Sequence, residues 1–159
     1  MRGITVKETI NAPAEKVFAA ATDLRGLAGR IRAIKRIEVL TEGPVRVGTK
    51  FKETRIMFGR EATEQMEITA LEAPRRWSTG AQSHGCRYDT EFTLAPAAGG
   101  TEITMRFQGE PLNLFTKIMG LLMAPMMKSM AKLCQKDLAD LKASVEGTGP
   151  AAGPGAQTA

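Results

Sequence analysis

PLNLFTKIMGLLMAPMMKSMAKLCQKDLADLKASVE, residues 111–146, is the stretch on which the fold turns. Five of the chain's nine methionines fall between Met119 and Met130. Met127, Met130, Cys134, Leu138, Leu141 and Val145 then recur at three- and four-residue spacings, which gathers them on one face of a helix. Pro125 is expected to kink this helix or divide it into 113–123 and 125–145, with Gly120 loosening the first half. Everything between residue 34 and this helix alternates like strand, so the apolar helix face must bury itself against a sheet. Methionine is flexible and fills irregular space, which suits a packed core and a cavity wall alike.

Upstream, HGCRYDTEFTL (84–94) is the clearest alternation. His84, Cys86, Tyr88, Thr90, Phe92 and Leu94 share one face and the polar residues between them the other. That is the pattern of an antiparallel sheet with one wet side. Strands are expected at 3–10, 34–40, 49–58, 61–71, around Trp77, at 84–94 and at 101–107. Turns are expected at Gly43-Pro44, Gly59-Arg60 and Pro96–Gly100. Asn11-Ala-Pro13 opens a helix whose apolar face holds Val17, Phe18 and Ala21; Thr22 or Asp23 caps a second short one ending near Gly26 or Gly29. The order is strand, two short helices, six strands, one long helix. A curved antiparallel sheet wrapped around that helix satisfies it, and where sheet and helix diverge a cavity forms.

The bulk numbers narrow the partners. The chain of 159 residues fits one domain, and 43% hydrophobic with 25% charged residues is a globular composition. The net charge of +5 permits weak attraction to anions. Aromatics are only 5%, too few to stack nucleic acid, so no nucleic-acid partner is expected. No signal segment is visible, and the longest uncharged apolar stretch, 118–127, is about half of what crosses a bilayer. The expectation is a cytoplasmic protein without stable membrane insertion, monomer or homodimer. Two cysteines and one histidine make neither a disulfide framework nor a zinc site; no metal and no cofactor are expected. Residues 147–159, rich in Gly, Pro and Ala, read as a disordered tail.

Four stretches together resemble the START-like (SRPBCC) superfamily of helix-grip proteins, in its polyketide cyclase/dehydrase-like branch: ITVKETINAPAEKVFAAATDL, VRVGTKFKETRIMFGREATEQMEITALEAPRRW, GCRYDTEFTLAPAAGGTEITMRF and the closing KDLADLKASVE. The resemblance covers about residues 2–146. It implies an α+β helix-grip domain over 1–146, a seven-stranded antiparallel sheet around the C-terminal helix, and a deep apolar cavity. It does not imply one reaction: members bind lipids, hormones or polyketides, and some cyclise or dehydrate aromatic polyketides.

The strand phase directs Phe51, Glu53, Arg55 and Met57 inward, with Glu64 and Met66 from the next strand. A charge inside is costly unless paired. A Glu53–Arg55–Glu64 cluster would seat a ligand's polar end or an ordered water; the alternative is that these strands run past the helix into solvent. Trp77, Cys86, Tyr88, Thr90, Met105, Phe107, Met119, Met123, Met127, Met130 and Cys134 complete the expected cavity lining. For chemistry, His84 is the only imidazole base available, Tyr88 a donor to an enolate, and Glu64 a further candidate. Lys128, Lys132 and Lys136 form a basic stripe on the helix, offset by Asp140 at Lys136. Arg25, Arg30, Arg32, Lys35 and Arg36 form a basic patch. Leu114, Phe115, Ile118, Leu121 and Leu122 are more apolar surface than one helix face buries. The leading expectation is a binder of a small hydrophobic ligand, lipid-like or aromatic. The alternatives are a polyketide cyclase or dehydratase acting on such a ligand, and a protein-interaction module with no small-molecule ligand.

Overall fold

A computed structural model describes residues 2–148; the rest of the expected tail, 149–159, lies outside the described residues. Strand β1 (Arg2–Ile10) leads into helix α1 (Ala14–Thr22), a 3₁₀ turn at Leu24–Gly26 and short helix α2 (Leu27–Arg30). Six strands follow: β2 (Ile34–Val39), β3 (Lys50–Met57), β4 (Arg60–Glu72), β5 (Arg76–Ser83), β6 (Cys86–Ala97) and β7 (Gly100–Pro111). The chain closes with α3 (Leu114–Leu122), a 3₁₀ turn at Ala124–Met126 and α4 (Met127–Glu146). The strands form one seven-stranded sheet in the order β1-β7-β6-β5-β4-β3-β2, antiparallel throughout. The helix-grip architecture expected from the sequence is therefore present. Register shifts between Ile34 and Arg36 and between Ile68 and Ala70 bend the sheet.

Turn chemistry sets the strand boundaries. Two hairpins close on two residues with positive φ: Phe58 (51°) with Gly59 (77°), and His84 (50°) with Gly85 (74°). Paired left-handed residues match the right-handed twist of the flanking strands. The expected Gly59-Arg60 link is thus shifted by one residue, because Arg60 already pairs with Met57. His84 is likewise a turn residue rather than a member of the strand face. The expected Pro96–Gly100 turn shrinks to Ala98-Gly99, since Pro96 and Ala97 still pair with Thr101 and Gly100. Gly100 is required: a Cβ there would lie 2.1 Å from the Ile10 carbonyl oxygen.

The core lies where α4 and α1 meet the centre of the sheet. Ile10, Val17, Ile103 and Leu138 are essentially sealed. Phe18 meets Trp77 edge-on at 5.5 Å, and Trp77 stacks on Phe92 at 4.6 Å. The i, i+3, i+4 stripe of α4 explains its buried set of Cys134, Asp137, Leu138, Leu141 and Val145. The helix also covers the open edge of β1. Gln135 Nε2 donates to the Lys7 carbonyl at 2.9 Å and Lys142 Nζ to the Thr9 carbonyl at 2.6 Å. Gly147 in the left-handed conformation and the Thr148 N–H bonded to the Ala143 carbonyl close α4 in a Schellman motif.

Candidate functional site

Between the sheet's concave face and α4 lies a cavity of about 340 Å³, within the range of small-molecule pockets. Its walls come from α1–α2, β2 through β7 and α4. Most are apolar: Leu24, Ile34, Phe51, Ile68, Trp77, Leu138 and Leu141 are buried residues that face it. Of all the lining residues only His84 is exposed, so the mouth opens beside the β5–β6 hairpin.

Of the residues expected from sequence to line the cavity, Phe51, Glu53, Arg55, Met57, Glu64, Met66, Trp77, Tyr88, Thr90, Met105, Phe107, Met130 and Cys134 do line it, as does His84. Cys86, Met119, Met123 and Met127 do not. Met127 packs on the core, while Met119 and Met123 stand exposed on the α3 segment. The physical reason is that α3 lies beside β7 and the β5–β6 hairpin, where none of its residues lines the cavity, and the C-terminal helix reaches the cavity from Met130 onward. The α4 stripe from Met130 to Leu141 is packed core and cavity wall at once, whereas the methionines of the α3 segment lie outside the cavity.

The charged cluster differs in membership from the expected Glu53–Arg55–Glu64. Arg55 Nε donates to Glu53 Oε1 at 2.7 Å, and Arg55 Nη2 donates to Asp137 Oδ2 at 2.9 Å. All three side chains are less than one-fifth exposed. Burial pushes the Glu53 and Asp137 carboxyls above the usual carboxylate range, against the pull of Arg55. Glu64 sits opposite Glu53 in the β3–β4 register, with Cβ atoms about 5 Å apart by sheet geometry. It pairs with Ser83 instead of Arg55: Ser83 Oγ donates to Glu64 Oε1 at 3.0 Å. Asp137 is the residue that sequence reasoning misses, although it lies three residues after Cys134 on the same stripe. Its charge disguises it as a surface residue.

A second polar group lies toward the mouth. Ser83 Oγ is 3.0 Å from His84 Nδ1. A hydroxyl has one proton; with it given to Glu64, the Ser83 oxygen accepts from His84 Nδ1, and His84 Nε2 has no hydrogen-bond partner among the described residues. Tyr88 stacks on Phe107 at 5.8 Å. Burial, then the Cys86 thiol, push its phenol up to about 12, so it is a donor rather than a phenolate at neutral pH. Burial beside Asp137 pushes the Cys134 thiol up to about 11, which removes it as a nucleophile near neutrality.

The basic patch is partly neutralised: Arg30 pairs with Asp23 and Arg32 with Asp140, each at 2.9 Å. Asp140 therefore serves Arg32, not Lys136 as expected.

Several solved structures share this architecture. The protein TTHA0849 from Thermus thermophilus superposes with a TM-score of 0.75 at 19% identity, covering 94% of this chain and 100% of that one. Ara h 8.0201 gives 0.68 at 19% identity, covering 92% and 98%. StfQ, the di-domain ARO/CYC of the steffimycin biosynthetic pathway, gives 0.74 at 13% identity over 91% of this chain and 51% of that one, about half its length. At these identities the likeness is one of fold. No curated protein matches the chain in sequence. The family described as polyketide cyclase/dehydrase and lipid transport matches residues 1–146. By that match across nearly its whole length, and by the seven-stranded sheet closed on a C-terminal helix, the chain belongs to this family.

Proposed function

We propose that this protein binds one small, mostly apolar molecule in the cavity, with a hydrogen-bond-donating end seated against Glu53, Arg55 and Asp137. The observation that carries this reading is a cavity of about 340 Å³ with apolar walls and one ion-paired cluster set among them. Arg55 gives one positive charge to two carboxylates and leaves Glu53 Oε2 and Asp137 Oδ1 without a hydrogen bond among the described residues. Free acceptors in a low-dielectric wall favour a hydroxyl, phenol or amine and disfavour a carboxylate. Membership of a lipid-transport and polyketide-cyclase family supports an apolar body for the ligand.

Trp77, the only tryptophan, lines the cavity and reports its occupancy. Titration with long-chain alcohols and polycyclic phenols is expected to change Trp77 emission saturably, and matched carboxylic acids to bind at least tenfold more weakly, about 1.4 kcal/mol. Silence across the whole panel, with native mass spectrometry finding only empty protein, overturns the reading.

A second reading is a cyclase or dehydratase. The Glu64–Ser83–His84 chain favours it, because it leaves a basic Nε2 at the mouth with the Tyr88 phenol as a donor deeper in. The likeness to an ARO/CYC di-domain supports the same direction. Turnover of a poly-β-ketone substrate that survives both His84→Ala and Tyr88→Phe would refute these roles.

A further inference from the structure

The segment 112–126 exposes a concentration of apolar side chains found nowhere else among the described residues. Leu114, Phe115, Ile118, Leu121 and Leu122 are 54–73% exposed. At about 100° per residue these five occupy an arc of about 120° on α3. Thr116 lies on the opposite side and is buried, its Oγ1 proton shared between the Asn113 carbonyl at 3.0 Å and the Gly85 carbonyl at 3.2 Å. An Asn113 capping box and the Leu112 N–H bonded to the same carbonyl fix the helix start. The helix is thus pinned to the β5–β6 hairpin by its polar side, and its apolar arc points away from the protein.

Charge selects the occupant. Between Glu110 and Asp137 the sequence carries Lys117, Lys128, Lys132 and Lys136 and no acidic residue. Lys117 lies at the margin of the apolar arc, where a lysine stem follows the apolar surface and its ammonium reaches outward. A two-fold contact through α3 would bring two copies of this all-basic segment together. An anionic bilayer instead takes the apolar arc into its acyl boundary and the lysines to its headgroups. No described helix is long and apolar enough to cross a membrane, so the segment would lie in the interface. From these observations we infer that α3 with its flanking lysines docks the protein on an anionic lipid surface. The hairpin that anchors α3 carries His84, so docking sets the cavity mouth at the bilayer.

The test is flotation of the full chain with vesicles of phosphatidylcholine alone and with one-third phosphatidylglycerol. Binding is expected to the anionic vesicles only, weakening by at least about tenfold in high salt. Phe115→Glu with Leu122→Glu removes the apolar contact, and Lys128→Glu with Lys132→Glu removes the charge. Both pairs are exposed, and an unchanged thermal melt confirms that the variants fold. Loss of flotation in both supports the inference. Failure of the wild type to float, or flotation of either variant at the wild-type level, overturns it. So does light scattering that finds a dimer dissolved by the Phe115 and Leu122 substitutions. Ligand titration through Trp77 is independent of vesicles and separates this result from that of the cavity.

Discussion

Arg55 Nη2 and Asp137 Oδ2 meet at 2.9 Å across 82 residues of sequence, tying β3 to the middle of α4 on the wall of the cavity. Glu53 accepts from Nε of the same guanidinium. Removing the cation leaves two buried carboxylates with no counter-charge. Arg55→Met is expected to lower unfolding free energy near neutral pH by about 3 kcal/mol, read from urea denaturation. The loss should shrink at acid pH, where the carboxyls take up protons. A loss below about 1 kcal/mol would mean the cluster is solvated as a surface ion pair is.

The pH dependence of Asp137 has a definite sign. Its carboxyl and that of Glu53 are raised by burial. A raised carboxyl favours the folded state fully only below its unfolded pKa, about 4, and that contribution is lost as pH rises through the folded value. Asp137→Asn removes this titration and relieves the Glu53 carboxyl of a neighbouring charge. The variant is expected to gain on the wild type in thermal melts as pH climbs from about 4 toward neutrality. A difference that is flat, or that runs the other way, contradicts the burial argument.

Burial, not residue size, should rank the apolar substitutions. Ile103 is fully buried in β7, whereas Phe115 is 72% exposed. Ile103→Ala is expected to cost about 3 kcal/mol through lost burial and the void it leaves. Phe115→Ala, although it deletes a larger side chain, is expected to change stability by no more than about 0.5 kcal/mol. Chemical denaturation of the two variants side by side decides this; a comparable loss in both would place α3 against something buried.

Filling the cavity should separate binding from folding. Ala81 lines it, opposite Met66 on one neighbouring strand and Tyr88 on the other. Ala81→Phe places a ring in open space and is expected to cost less than about 1.5 kcal/mol. It should abolish the fluorescence enhancement of an uncharged apolar dye such as Nile red, or the Trp77 response to any cavity ligand. Undiminished dye binding would locate the dye elsewhere on the molecule.

Cys134 is buried with its thiol pushed up to about 11. At neutral pH almost none is thiolate. Iodoacetamide followed by peptide mass spectrometry is expected to leave Cys134 unmodified in the folded protein and to label it on unfolding in urea. Rapid labelling of the folded chain would show that the thiolate is populated or the cavity opens to reagent.

The elements are largely legible in the sequence because their signals are local. The alternation from Cys86 to Leu94 needs only the two-residue strand period, and the stripe from Met130 to Val145 only the helical one. Two-residue turns can be placed to within a residue or so; the sequence alone does not tell whether Phe58 or Arg60 supplies the second turn position beside Gly59. Asp137 is within reach, since its position on the buried stripe follows from Cys134 and Leu138. A lone carboxylate on an apolar face invites the assumption that it turns outward, and only its partner on another strand says otherwise.

Periodicity in the chain dictates which residues alternate, where the strands and helices lie, and that a sheet must close on the C-terminal helix. Each segment carries that information alone. Assembly in three dimensions settles which half of that helix faces the cavity, that Arg55 takes Asp137 rather than Glu64, and that the richest apolar run stays outside. Those outcomes depend on where a helix lands on a curved sheet, a distance set by all seven strands together and written in no single segment.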